Sequence, residues 1–155
     1  MRERGGGKMY EDFAGTFEHG LDSKGRVIIP VCFRDRLGDH FTIALNSDSS
    51  ALALYPLAKW EQMKERLSQV RSTDQMAMQY VRYILGNAYT ANDMDAQGRI
   101  LLPTKLRNKV QLSREIVFVG MTEHIEVWDA ARYAEQEMAA EANIAALLAH
   151  MDATY

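Results

Sequence analysis

Cysteine occurs once, as Cys32, so no internal disulfide can form, and a lone thiol fits a reducing compartment. No apolar run approaches the roughly eighteen residues needed to span a bilayer. The start, Met1-Arg2-Glu3-Arg4-Gly5-Gly6-Gly7-Lys8, lacks the apolar stretch of a signal peptide, and the expected location is the cytoplasm. There is no excess of one charge either. With 18 Lys and Arg against 21 Asp and Glu, the net charge of −3 argues against a uniformly basic nucleic-acid coat. Three prolines, 47% apolar and 25% charged residues describe a globular chain throughout, apart from a flexible extension expected over residues 1–12.

Catalytic and metal-binding patterns are missing too. His19, His40, His124 and His150 are scattered without ligand spacing, and Cys32 has no cysteine neighbour, so neither a zinc site nor any other metal site is expected. Gly5-Gly6-Gly7-Lys8 follows no strand, and Met9 stands where a phosphate loop needs Ser or Thr. Asp93 to Gly98 resembles the start of a calcium loop, but Thr104 occupies the position of the bidentate glutamate. Glu18 and Glu126 have no partner carboxylate that sequence can place near them, and both are expected to be solvated strand positions. No cofactor, small-molecule substrate or enzymatic activity is therefore expected.

What is present is a repeat. Leu21-Asp22-Ser23-Lys24-Gly25-Arg26-Val27-Ile28-Ile29-Pro30 recurs 73 residues later as Met94-Asp95-Ala96-Gln97-Gly98-Arg99-Ile100-Leu101-Leu102-Pro103. At the same offset, Phe33-Arg34 matches Leu106-Arg107, Leu52 to Tyr55 matches Ile125 to Trp128, and Trp60 matches Tyr133. Within each unit, Thr16 to His19 alternates like a half-buried strand. Asp22 to Gly25 supplies turn chemistry, and Arg26 to Ile29 returns as a second strand, so a hairpin is expected. Pro30 opens a short helix to about Leu37; strands follow at 41–45 and 51–55, then a helix with the stripe Leu57, Trp60, Met63, Leu67 and Val70. The second unit repeats this order and ends in an Ala-rich helix expected from Asp129 to about His150. Ser72-Thr73-Asp74 begins a linking helix whose Met76, Tyr80, Val81, Ile84 and Leu85 form a face too apolar for a solvated linker. That helix is expected to cover a sheet shared by both units. The chain thus divides into modules at 13–71 and 87–134, a linking helix at 72–86, and a C-terminal helix and tail at 135–155.

Charge gathers in the same places. Between Asp95 and Arg114 stand Arg99, Lys105, Arg107, Lys109 and Arg114 against one carboxylate. Between Asp22 and Arg36 stand Lys24, Arg26, Arg34 and Arg36 against Asp22 and Asp35. Asp22 and Asp95 could simply cap their turns and pair with Arg26 and Arg99, holding the hairpins shut. Yet closing a turn does not require arginine twice, whereas a guanidinium forks onto phosphate or onto the O6/N7 edge of guanine, and a two-stranded ribbon fits the major groove. DNA contact is thus expected of Arg26 and Arg99, with Asp22, Asp95 and Lys24 beside them. Arg34 and Arg107, at equivalent places, either bind phosphate or solvate the short helix. Lys105 and Lys109 fit solubility as well as binding.

The two copies of the Asp-x-x-Gly-Arg string, with Leu85-Gly86-Asn87-Ala88 between them, resemble the MraZ family from about Phe13 to Tyr133. The resemblance implies an α+β fold, mainly β with helices, in which two tandem AbrB-like swapped-hairpin modules pack as one pseudo-symmetric body. It further implies a homo-oligomeric ring that binds direct repeats in promoter DNA and regulates, usually represses, the division and cell wall gene cluster. Such a protein is nucleoid-associated. The family's Asp-x-x-x-Arg motif falls on Asp22 with Arg26 and on Asp95 with Arg99, while Cys32 stands where a small residue such as Ala is common. The alternative is an AbrB-like antitoxin or interaction module, although such proteins usually carry one hairpin unit and a disordered acidic tail.

Overall fold

A computed structural model describes residues 12–155; the extension before Asp12, including Gly5 to Lys8, lies outside the described residues. The first half runs β1 (Thr16–Gly20), β2 (Arg26–Ile28), α1 (Val31–Leu37), β3 (Phe41–Leu45), β4 (Leu52–Tyr55) and α2 (Leu57–Ser68). After the linking helix α3 (Gln75–Gly86), the second half repeats the order as β5 (Tyr89–Asn92), β6 (Arg99–Leu101), α4 (Thr104–Lys109), β7 (Glu115–Gly120), β8 (Ile125–Asp129) and α5 (Ala130–Ala142). A last helix, α6 (Ile144–Thr154), follows α5 as α3 follows α2. The fold is α+β, as expected.

The hairpins read from local turn chemistry are not closed within either half; their strands are swapped between halves, as the family resemblance implies. β1 pairs with β7 and β5 with β3, so the first strand of each half completes the sheet of the other. β2 pairs with β6 in a separate antiparallel ribbon, Arg26 opposite Leu101, Val27 opposite Ile100 and Ile28 opposite Arg99. The six-stranded sheet has the order β1-β7-β8-β4-β3-β5, with β4 and β8 joining the halves at its centre. Sequence periodicity specifies which residues face the core but not which edge a strand completes, and here both swapped pairings satisfy the backbone.

Alternation within the strands builds the core. Ile43, Leu45, Leu52 and Leu54 face one side with Ile116, Phe118, Ile125 and Val127; against them pack Val27 and Ile100 from the ribbon and Phe33 and Leu106 from α1 and α4. Phe33 and Leu106 are fully enclosed at equivalent points, and truncating either to alanine would cost about 2–5 kcal/mol. Ala44, Ala53 and Tyr55 face the other side, where Trp60 of α2 stacks on Tyr55 at 6.0 Å. Its counterpart Tyr133 meets Trp128 edge-on at 5.7 Å.

Three further expectations need correction. The linking helix starts as read, with Asp74 accepting from the Ala77 N–H at 3.1 Å, but it covers little of the sheet. Only Val81 and Ile84 are buried, while Met76, Tyr80, Tyr83 and Leu85 stay exposed, because α2 already occupies that face. The C-terminal helix is broken at Asn143, whose backbone leaves the helical region and whose side-chain amide donates to the Ala139 carbonyl. Glu126 is not a solvated strand position: it accepts from Asn46 Nδ2 at 3.0 Å and Trp128 Nε1 at 2.9 Å, holding the β3–β4 turn to β8.

Candidate nucleic-acid interface

Each repeated motif folds into a tight tip. In tip 1, Asp22 Oδ1 accepts the N–H groups of Lys24 and Arg26, both at 2.9 Å, and the Asp22 N–H donates to the Arg26 carbonyl. Tip 2 repeats this with Asp95 accepting from Gln97 and Arg99, again at 2.9 Å. Gly25 and Gly98 take φ of 83° and 80°, a region open to glycine at little cost. Sequence chemistry located these tips because an Asp that bonds its own backbone and a left-handed Gly form a local unit.

The pairing weighed in the sequence as a turn latch is present. Arg26 Nε donates to Asp22 Oδ2 at 3.0 Å, and Arg99 Nε to Asp95 Oδ2 at 2.7 Å. The backbone and side-chain N–H groups of Arg99 hold the Asp95 carboxyl down at about 2, and those of Arg26 likewise lower Asp22. Each carboxylate uses only the Nε edge of its arginine. Neither arginine's Nη groups hydrogen-bond to any described residue, and the side chains stay 36% and 35% accessible. The ion pair therefore aims a guanidinium rather than consuming it.

Both tips belong to one surface. Val27 and Ile100 point inward from the ribbon, so Arg26, Ile28, Arg99 and Leu101 form its outer face, with Ile28 and Leu101 exposed. Gly98 O accepts from Ile29 N and Gly25 O from Leu102 N, both at 2.9 Å, fixing each tip to the far end of the opposite strand. The tips thus stand about 13 Å apart at opposite ends of the ribbon, four residues at about 3.3 Å each.

Arg34 and Arg107 are not free surface cations. Arg34 Nε donates to the Ile29 carbonyl and Arg107 Nε to the Leu102 carbonyl, each at 2.9 Å, and Arg107 Nη2 reaches Thr104 Oγ1. Each guanidinium lies against the tip glycine of the other half: a Cβ on Gly98 would stand 2.4 Å from Arg34 Cζ, and one on Gly25 2.7 Å from Arg107 Cζ. The sequence repeat marks these arginines as equivalent but carries no sign that each serves the opposite tip. Lys24 is exposed on tip 1, Lys105 is exposed on α4, and Lys109 lies over the Tyr83 ring at 5.6 Å. Arg114, which sequence reading did not single out, lines the cleft beside tip 1 with Arg107 and Ser113.

Among the described residues no group of three or more His, Cys, Asp or Glu is placed to hold a metal, and no helix is long and apolar enough to cross a membrane. The surface is an anchored ribbon presenting two aimed arginines. A model described as "MraZ protein, putative antitoxin-like" matches twice, over residues 13–82 and 84–153. The chain is 43% identical over 123 residues to the transcriptional regulator MraZ of Pediococcus pentosaceus, covering 79% of this chain and 85% of that one. It is 39% and 35% identical over 140 residues to the transcriptional regulators MraZ of Limosilactobacillus fermentum and Halothermothrix orenii, covering 90% of this chain and 96% of each relative. The chain belongs to the MraZ family.

Proposed function

We propose that this chain is a cytoplasmic, nucleoid-associated transcriptional regulator that binds promoter DNA through the outer face of the β2–β6 ribbon, with Arg26 and Arg99 reading base edges. The observation that carries this reading is the pair of arginines latched by Asp22 and Asp95 with their Nη groups left open. A carboxylate beside each guanidinium cancels much of its attraction for phosphate, so what remains is a directional fork suited to guanine O6 and N7. Lys24 supplies the unlatched charge. Arg34 and Arg107 act as struts that set the angle of the tips. The regulated promoter is that of the division and cell wall gene cluster, read as direct repeats, and the usual outcome is repression.

The working form is a ring-like homo-oligomer. Met76, Tyr80 and Tyr83 on α3, and Met138, Ile144, Leu148 and Met151 on α5 and α6, leave apolar surface exposed that a monomer would carry at the cost of solubility. A ring also suits direct repeats, because subunits related by rotation present their ribbons in the same sense. Joining several weak contacts raises affinity by about 10² to 10⁴. A second reading, an antitoxin or interaction module, is favoured by the antitoxin-like description of the family model and by the same exposed α6.

Arg26→Ala and Arg99→Ala test the function. Each should keep the circular dichroism spectrum and lose roughly 1–3 kcal/mol of discrimination on the chain's own upstream DNA. Reducing several repeats to one should lower affinity by at least an order of magnitude in fluorescence anisotropy. Unchanged binding by both variants would assign the arginines to the turns alone, and a monomer mass by light scattering would remove the ring.

A further inference from the structure

The two tips share a backbone and an Asp–Arg latch but not their chemistry. At equivalent exposed positions tip 1 carries Ser23 and Lys24, while tip 2 carries Ala96 and Gln97. The swapped connections enlarge this difference. Arg107, from the second half, lies under tip 1, and Arg114 lines the adjoining cleft, where the Leu21 N–H bonds the Arg114 carbonyl at 2.8 Å. Tip 1 therefore gathers Lys24, Arg26, Arg107 and Arg114 around Asp22, with Glu115 a step back opposite Gly20 and the Asp129 carboxylate behind, taken up by Ser113. By strand pairing, Phe41 opposite Asn92 corresponds to Ile116 opposite His19, so the position equivalent to Arg114 at tip 2 is Asp39, an exposed carboxylate. Tip 2 has Arg34 and Arg99 against Asp95 and Asp93, and Asp93 is engaged with the His40 N–H at 2.9 Å. The cations that sequence order places in the second half thus serve the tip of the first.

On the basis of the DNA-binding reading above, we propose that the subunit is directional on DNA, with Gln97 as its specificity-determining residue: tip 1 is the cationic grip and tip 2 reads an adenine through the Gln97 amide. A glutamine amide can donate to adenine N7 and accept from N6 at once, a pairing that lysine cannot make. Lys24, a point charge, and the exposed Arg114, a planar fork, are unlatched cations that favour phosphate or guanine. Two like tips related by a near two-fold axis would read a palindromic element, and such an element would not distinguish the two orientations of the subunit. Unlike tips break that symmetry where the bases are contacted, and a directional element for each subunit follows.

The test uses the full chain and a pool of duplexes randomised over a 20-base-pair window, about twice the 10–10.5 base pairs of one helical turn. Wild type, Gln97→Ala, Gln97→Lys and Lys24→Ala are each taken through selection and sequencing, with thermal melts as a check on folding. Wild type should select a non-palindromic element. Gln97→Ala should lose a preference of roughly tenfold for A·T at one position and keep the others. Gln97→Lys should shift that position toward G·C. Lys24→Ala should weaken binding to every sequence and reduce the log–log salt slope by about 1. The same element selected by wild type and both Gln97 variants, or a palindromic one selected by wild type, overturns the proposal while leaving DNA binding standing. Wild type that enriches no sequence overturns the DNA-binding reading and this inference with it.

Discussion

Gly98→Ala is the sharpest probe of how the tips are held. The new Cβ would stand 2.4 Å from Arg34 Cζ and 2.5 Å from Nε, so the guanidinium must swing away and release its bond to the Ile29 carbonyl. A bond of that kind contributes about 1 kcal/mol. Alanine at a φ of 80° adds roughly 1–2 kcal/mol of backbone strain. The total, about 2–3 kcal/mol, lowers Tm by about 4–12 °C at 2–4 °C per kcal/mol. Arg34→Ala alone removes the bond but not the glycine's freedom, and costs about 1 kcal/mol. The double variant should therefore cost less than the sum of the singles, by about the energy of that one bond, because it is lost only once. The repeat supplies a control: Gly25→Ala displaces Arg107, which has two side-chain hydrogen bonds to lose, so Gly25→Ala should be at least as destabilising. Thermal melts at fixed protein concentration read all four variants. Strict additivity of Gly98→Ala and Arg34→Ala would refute the strut.

Two further outcomes follow from the same geometry. Gln111 holds a φ of 56° at the exit of α4, where its equivalent at the exit of α1 is Gly38 with a φ of 67°; Gln111→Gly should stabilise the fold by up to about 1 kcal/mol, read as a higher denaturant midpoint. Acidification should act in two stages. His19 and His124 are both held below the ordinary 6.5 by burial, helped by Arg34 and Lys59 respectively, so the unfolded chain binds protons first and stability falls as pH drops below about 6.5. Asp22 and Asp95 are held below 3.8, so their contribution persists above that value and is lost as pH falls through it toward about 2. Urea midpoints from pH 8 to pH 3 that rise on acidification would contradict both assignments.

The parts of this fold legible in the sequence were those set by local rules. Asp22-x-x-Gly25 and Asp95-x-x-Gly98 announce their turns, Pro30 and Pro103 stand at the N-caps of α1 and α4, and the strands read at 41–45 and 51–55 lie within a residue of β3 and β4. What was not legible was partnership at a distance. Nothing in Thr16 to Gly20 says that β1 lies beside β7, and an alternating strand would bury the same residues against either neighbour. The same blindness hid the struts, since Arg34 and Arg107 read as phosphate ligands or helix-surface cations until their tip glycines are known. Gln97 differs: its alignment with Lys24 at an offset of 73 residues marks it, but only once both tips are seen to share one face.

The swap also determines what the duplication can do. β1 and β5 find their ladder partners only in the opposite half, and β2 and β6 pair only with each other, so each tip is anchored by backbone from both halves. If two identical one-unit chains met in this way, every residue at one tip would be matched at the other, and a charge added to one would be added to both. Placing the units in one chain keeps the mutual bracing, through Ile29 with Gly98 and Leu102 with Gly25, while freeing each tip to change alone. The positions that have diverged are informative. Asp, Gly and Arg, which form the latch, are the same in both units, whereas Ser23 against Ala96, Lys24 against Gln97 and Arg114 against Asp39 lie outside it. A latch that is constant and a rim that varies is the pattern expected when one backbone device presents two different contacts.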